Sequence, residues 1–259
     1  MNDSPVQLLR DGSVTTLLIN RPSALNALDV PTAQAFRAAC SALSADQGVR
    51  AVIVRGEGRS FGVGGDLAAM RDDATAVAGQ LIDAMHAGVL MLTTMDAPVI
   101  ASLHGAVAGG SMSLACACDL AIAAEGTSFN LAYGRIGASS DLSSSWHLPR
   151  LLGLRQAMQI ALLSDTIDST EALRLGLVNR VVPAAELQRE AMALAQRLAN
   201  GPTLAYGRLK RLLRQSFDND LPTQLDAERK AFTASTQTRD FAEGLAAFLG
   251  KRAAQFEGR

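Results

Sequence analysis

Net charge is nearly absent from this chain. Its 259 residues carry 24 Lys plus Arg against 25 Asp plus Glu, a formal charge of -1, so no whole-molecule field draws nucleic acid or an anionic lipid surface. Cysteine is scarce too. Cys40, Cys116 and Cys118 are an odd set in a long chain, and Cys-Ala-Cys is tighter than the two-residue gap of redox and zinc motifs; buried reduced thiols are expected. Only three histidines occur, His86, His104 and His147, with no His-Glu-x-x-His pair, so no metal site is expected. Each histidine reads as hydrogen-bonded packing or surface. Asp96 breaks the apolar stretch from Val89 to Val107 and Asp119 the one from Leu114 to Ala124, short of the roughly 18 unbroken apolar residues of a membrane span. The opening Met-Asn-Asp-Ser-Pro lacks the basic segment and apolar run of a secretory signal. A cytoplasmic protein without a membrane partner is expected.

What is present is an ordinary globular composition, 48% hydrophobic, 19% charged and 4% aromatic. Folding buries roughly 70 to 75% of the unfolded surface at this size, enough for one main domain. Val14 to Ile19 is β-rich and ends at the turn Asn20-Arg21-Pro22. Asp29 and Pro31 then open a helix in which Ala33, Phe36, Cys40 and Leu43 recur at helical spacing. Short apolar runs at Ala51 to Val54, Val99 to Leu103 and Leu120 to Ala123 read as buried strands, with a helical stretch over Ala76 to Thr93. This alternation predicts α/β layering with parallel pairing. From Ser169 onward the patterns are helical apart from Leu177 to Val182: Glu186 to Ala199, Thr203 to Phe217 and Leu225 to Leu249. A soft boundary near Asn200-Gly201-Pro202 divides a core, residues 1–200, from a helical region, residues 201–259. The basic run Arg208, Lys210, Arg211 and Arg214 reads as a solvated helix face.

Several motifs are partial. Gly62-Val-Gly-Gly-Asp-Leu67 starts like a dinucleotide fingerprint but ends in Leu67 instead of Gly. Gly58-Arg-Ser-Phe-Gly62 matches a serine hydrolase's nucleophile elbow, yet Ser60 lies six residues past Val54, whereas an elbow serine directly follows its strand. Two glycine-centred turns remain, Gly64-Gly65-Asp66 ahead of the helical-looking Leu67 to Met70, and Gly109-Gly110 ahead of a helix running to Cys118. Either could leave outward backbone N–H groups, and two such donors converging would bind a developing oxyanion. Either could also be no more than a tight strand-to-helix turn.

Four ordered segments carry a resemblance: Asn20 to Leu28, Ser60 to Leu67, His104 to Gly110, and Ile136-Gly137 running on to Leu148-Pro-Arg-Leu-Leu-Gly153. With Phe241 to Arg252, they resemble the crotonase, or enoyl-CoA hydratase/isomerase, superfamily over nearly the whole chain. The resemblance implies a spiral of ββα repeats, a C-terminal helical region that builds homotrimers or hexamers, and an acyl-CoA thioester as ligand, coenzyme A being part of the substrate and no other cofactor being needed. It places the thioester oxygen on the N–H groups of Gly65 and Gly110. Ser23, Ala24, Leu25, Gly64, Asp66 and Leu67 fall along the bound substrate, and Phe248 and Lys251 match positions that reach a CoA on a neighbouring subunit.

The family's hydratases use two glutamates, and the matching positions here hold Ser113 and Tyr133. Two-carboxylate hydration is therefore not expected. Asp141, thirty-one residues beyond Gly110, matches the single aspartate of some of the family's isomerases, and one carboxylate suffices for a proton shuttle. It could equally be a loop aspartate in the Ser-rich run Ala138 to Ser145. His86 with Asp141 also matches the spacing of 4-chlorobenzoyl-CoA dehalogenase, in which the aspartate is a nucleophile. A CoA-binding relative that has lost its chemistry is the reading from another class. Relatives often carry Pro and Gly around Asp141, where this chain has Ser140, Leu142, Ser143 and Ser144.

Overall fold

The computed structural model describes residues 4–259. The first part of the chain forms β1 (Val6–Asp11), β2 (Val14–Ile19), α1 (Val30–Ala45), β3 (Ala51–Gly56), α2 (Ala74–Thr94), β4 (Val99–Leu103), β5 (Ala106–Ala108) and α3 (Gly110–Ala117). It continues through β6 (Leu120–Ala124), β7 (Ser128–Asn130), α4 (Ser144–Leu152), α5 (Leu154–Leu163), β8 (Ile167–Asp168), α6 (Ser169–Leu175) and β9 (Arg180–Val182). Four helices finish it: α7 (Leu187–Ala199), α8 (Thr203–Gln215), α9 (Leu221–Thr236) and α10 (Arg239–Leu249).

The larger sheet has the order β1-β2-β3-β4-β6-β9. Only the β1–β2 pair is antiparallel, as a hairpin connection demands, while helices or longer connections carry the chain between parallel neighbours. β3, β4 and β6 are each followed by a short extended segment in a second layer. Gly62 bridges Val107 of β5, β5 pairs β7, and β7 pairs β8. Successive units of long strand, short strand and helix therefore stack in register, so the turn after each short strand lies beside the same turn of the next unit. That repetition brings the two glycine turns together.

One sheet face buries Leu17, Ile19, Val52, Val54 and Ala101 against α1 and α2. The other buries Val14, Ala51, Ile53 and Ile100 under Ala191, Ala195 and Ala199 of α7, whose i, i+4 spacing makes a flat stripe. Asp29 caps α1 by accepting from Thr32 N at 2.9 Å. By length and composition alone α2 is long and apolar enough to cross a membrane, although Gln80 and Asp83 interrupt it. Its buried stripe, Leu81, Met85, Val89 and Leu92, is however committed to the core, with Gly88 seated on the Phe36 ring of α1.

Three expectations change. Leu67 to Met70 is a pair of tight turns, not a helix, with Ala69 N donating to Asp66 O and Met70 N to Leu67 O. The run 225–249 divides into α9 and α10, because Thr238 caps Phe241 N at 3.1 Å. The basic run on α8 is not a solvated face. Lys210 is buried, and its Nζ donates to Asp119 Oδ2 at 2.6 Å and to the carbonyls of Leu92 and Ala97. Arg214 joins the same carboxylate at 3.0 Å, and Arg211 pairs with Asp96. α8 is thus riveted to the start of the parallel sheet, whereas α9 buries none of its own residues.

Candidate active site

The Gly64–Gly65 turn is held from both sides. Leu28 N donates to Gly64 O at 2.7 Å and Asp66 N donates to Leu28 O at 2.9 Å. In such a parallel bridge the residue between the two contacts points its own N–H the other way, and that residue is Gly65. Gly64 N–H is engaged inside the protein, donating to Ser111 Oγ at 3.1 Å. Gly64 adopts φ +87°, and a Cβ there would lie 2.9 Å from Gly110 N. The two turns are in contact, and glycine is required for it. Gly110 is the first residue of α3, where an N–H has no helical acceptor. Among the described residues no hydrogen bond engages the N–H of Gly65 or Gly110.

Asp141 lies over this second donor. A Cβ built on Gly110 would sit 3.6 Å from the Tyr133 hydroxyl, 3.7 Å from Asp141 Oδ1 and 3.7 Å from Leu142 Cδ2. The Tyr133 hydroxyl donates to Asp141 Oδ1 and lies 3.2 Å from Ser113 Oγ. Burial raises the Asp141 carboxyl above its ordinary range, opposed chiefly by the Tyr133 hydrogen bond. Burial also pushes the Tyr133 phenol up, and the neighbouring Asp141 charge adds to it.

The loop that presents Asp141 is strained. Leu142 and Ser143 take φ +48° and +70° in succession, a left-handed region that glycine occupies freely and other residues rarely do. Here Leu142 is buried, and its N–H donates to His86 Nε2 at 3.1 Å. His86 holds the loop from α2, and its Nε2 lone pair is occupied by doing so.

The segments expected along the CoA are also joined. Arg21 donates to Ala27 O at 2.6 Å and pairs with Asp66 at 3.3 Å and Asp29 at 3.2 Å, tying the Ser23-Ala24-Leu25 turn to Asp66-Leu67. Leu67 is exposed. Asn26 is fully buried; it accepts from Arg21 N and donates to the carbonyls of Glu57 and Ser60. Sequence reading missed Arg21, Asn26 and Ser111. The signal was a small hydroxyl directly after Gly110, and an Asn inside an otherwise apolar turn. Phe248 and Lys251 stand apart, at the exposed end of α10 and in the turn beyond.

Ser60 is not set up as a nucleophile. It is buried in the loop after β3, and neighbouring His104 turns its Nε2 to Gly58 O at 2.9 Å. His147 is buried, with Nδ1 2.9 Å from Ser143 Oγ. Among the described residues no group of three His, Cys, Asp or Glu side chains could hold a metal.

The profile of the enoyl-CoA hydratase/isomerase family matches residues 10–259. The 1,2-epoxyphenylacetyl-CoA isomerase of Escherichia coli K12 is 32% identical over 95% of both chains, and the crotonyl-CoA hydratase of Syntrophomonas wolfei is 34% identical over 96% of both. The crystal structure of an enoyl-CoA hydratase from Polaromonas sp. JS666 matches with a TM-score of 0.91 at 33% identity, covering 97% of this chain and 99% of that one.

Proposed function

The chain belongs to the enoyl-CoA hydratase/isomerase, or crotonase, family, and on that premise we propose that it is an acyl-CoA isomerase that moves a double bond with one carboxylate. The N–H groups of Gly65 and Gly110 hold the thioester oxygen as an enolate develops, each worth about 3 to 4 kcal/mol at the transition state. Asp141 removes a proton from the carbon next to the thioester or to the double bond and returns it to another carbon. The Ser23 to Leu25 turn and Asp66-Leu67 lie along the CoA, and Gly64 shapes the turn instead of donating.

One observation carries this reading: Asp141 lies beside the Gly110 donor while Ser113 and Tyr133, neither a carboxylate, fill the positions where hydratases of the family carry glutamates. A dehalogenase-like role for Asp141 is disfavoured because His86 Nε2 accepts the Leu142 N–H and is not free to take a proton from water. The unburied α9, with Leu221, Leu225 and Phe232 exposed, supports a homotrimer or hexamer in which subunits cover that helix, bringing Phe248 and Lys251 to a neighbour's CoA. The test is a panel of enoyl-CoA thioesters followed for both hydration and double-bond migration. Migration without 3-hydroxyacyl-CoA is expected. Accumulating 3-hydroxyacyl-CoA would overturn the proposal, and binding with neither reaction would mark an inactive relative.

A further inference from the structure

Ser113 from α3, Tyr133 from the single turn after β7, and Asp141 from the strained loop meet above Gly110. Ser113 Oγ lies 3.2 Å from the Tyr133 hydroxyl and 3.4 Å from Gly109 O, and the Tyr133 hydroxyl donates to Asp141 Oδ1. A carboxylate only accepts, and a hydroxyl carries one proton. An ionised Asp141 therefore sets the direction, Ser113 donating to Tyr133 and Tyr133 to Asp141. Ser113 Oγ then has no second proton for Gly109 O, and the chain reaches the Gly109–Gly110 peptide, the amide whose N–H is the unengaged donor, through the backbone of Ser113, whose N–H donates to Gly109 O at 3.1 Å.

We infer that Tyr133, backed by Ser113, is a positioning residue that ties Asp141 to the oxyanion peptide and reserves Oδ2 for the proton taken from substrate. The inference rests on the reading of Asp141 as the base. A free aspartate side chain samples several rotamers and offers either oxygen. The loop carrying it has left-handed Leu142 and Ser143, so its backbone alone does not hold a carboxylate to the few tenths of an ångström that proton transfer requires. The tyrosine bond occupies Oδ1 and fixes the rotamer, and Ser113, fully buried, fixes the tyrosine. The polar atoms at the two former glutamate positions thus hold a base instead of activating water. The titratable groups facing Asp141 are Tyr133 and, from α2, His86; the Tyr133 hydrogen bond favours the ionised carboxylate against burial, and His86, accepting the Leu142 N–H, holds the loop as a neutral ring.

Tyr133→Phe removes the hydroxyl and keeps the ring. The Asp141 carboxyl, followed by carbon NMR in protein labelled at aspartate and assigned with Asp141→Asn, is expected to titrate about one pH unit higher in the variant. The acid limb of the kcat/KM profile should move with it. kcat should fall roughly tenfold to a hundredfold with KM within about twofold, the signature of a misplaced base. Ser113→Ala should shift both in the same sense by less, and it carries the test if Tyr133→Phe does not fold. A carboxyl titration unmoved in the folded variants would overturn the tether. If the wild-type protein moves no proton on any acyl-CoA, the titration still decides the tether, and the failure belongs to the proposed isomerase activity.

Discussion

At the scale of single residues, Gly64 and Gly110 are required for different physical reasons. Gly64 has positive φ, and a Cβ there would lie 2.9 Å from Gly110 N and 3.2 Å from Ala108 O and Gly109 Cα, so Gly64→Ala should strain the turn and destabilise the fold. Gly110 sits at an ordinary helical start, where a methyl would meet its nearest neighbours at 3.6 to 3.7 Å, an ordinary contact distance. Gly110→Ala should therefore fold with a melting temperature near that of the wild type. The same methyl projects between the donor N–H and Asp141, where a thioester has to pass. Turnover should drop by at least about a hundredfold, measured beside thermal unfolding on one preparation. Equal loss of stability in the two variants would show that Gly110 is as structural as Gly64.

At the scale of elements, the repeat does the positioning, and its fastenings are buried polar groups between adjacent units. Asn26 is the clearest: one amide satisfies Arg21 N, Glu57 O and Ser60 O with no exposure to water. Asn26→Ala leaves those groups without a partner, so an unfolding free energy lower by about 3 kcal/mol is expected from urea titration. A loss under 1 kcal/mol would mean that the loops repair themselves. How much of this could be read beforehand follows the same physics. β2, β3, β4 and β6 were legible because buried parallel strands are bare apolar runs between turn signals. β5 and β7, three residues each, are too short to show a period. α9 and α10 looked continuous because the Thr238 cap lies within unbroken helical spacing. In the site, the two glycine turns were legible from their residues as possible donors, whereas their pairing on one oxygen and the role of Asp141 came only through the resemblance. The contact of Tyr133 with Asp141 could not, because it depends on two left-handed residues that nothing in their side chains announces.

At the scale of the whole molecule, α8 is fixed by Lys210 and Arg214 on Asp119, and His147 lies buried close to that cationic pair. Burial first and Arg214 second lower the His147 pKa from 6.5 to about 4. The folded state therefore favours the neutral ring. Its contribution to stability is complete above about pH 6.5 and is lost progressively as pH falls from there toward 4, because the unfolded chain takes up the proton first. Urea midpoints at pH 7.5 and 5.0 should fall more for the wild-type protein than for His147→Asn; equal slopes would place the pH sensitivity elsewhere. The proposed isomerase is tested most directly by its chemistry at one atom pair. Incubated with an enoyl-CoA in deuterated water, the wild-type protein should place deuterium on the acyl carbons flanking the shifted double bond. Asp141→Asn should abolish that label while Ser60→Ala retains it. Deuterium incorporation that survives in Asp141→Asn would contradict the account.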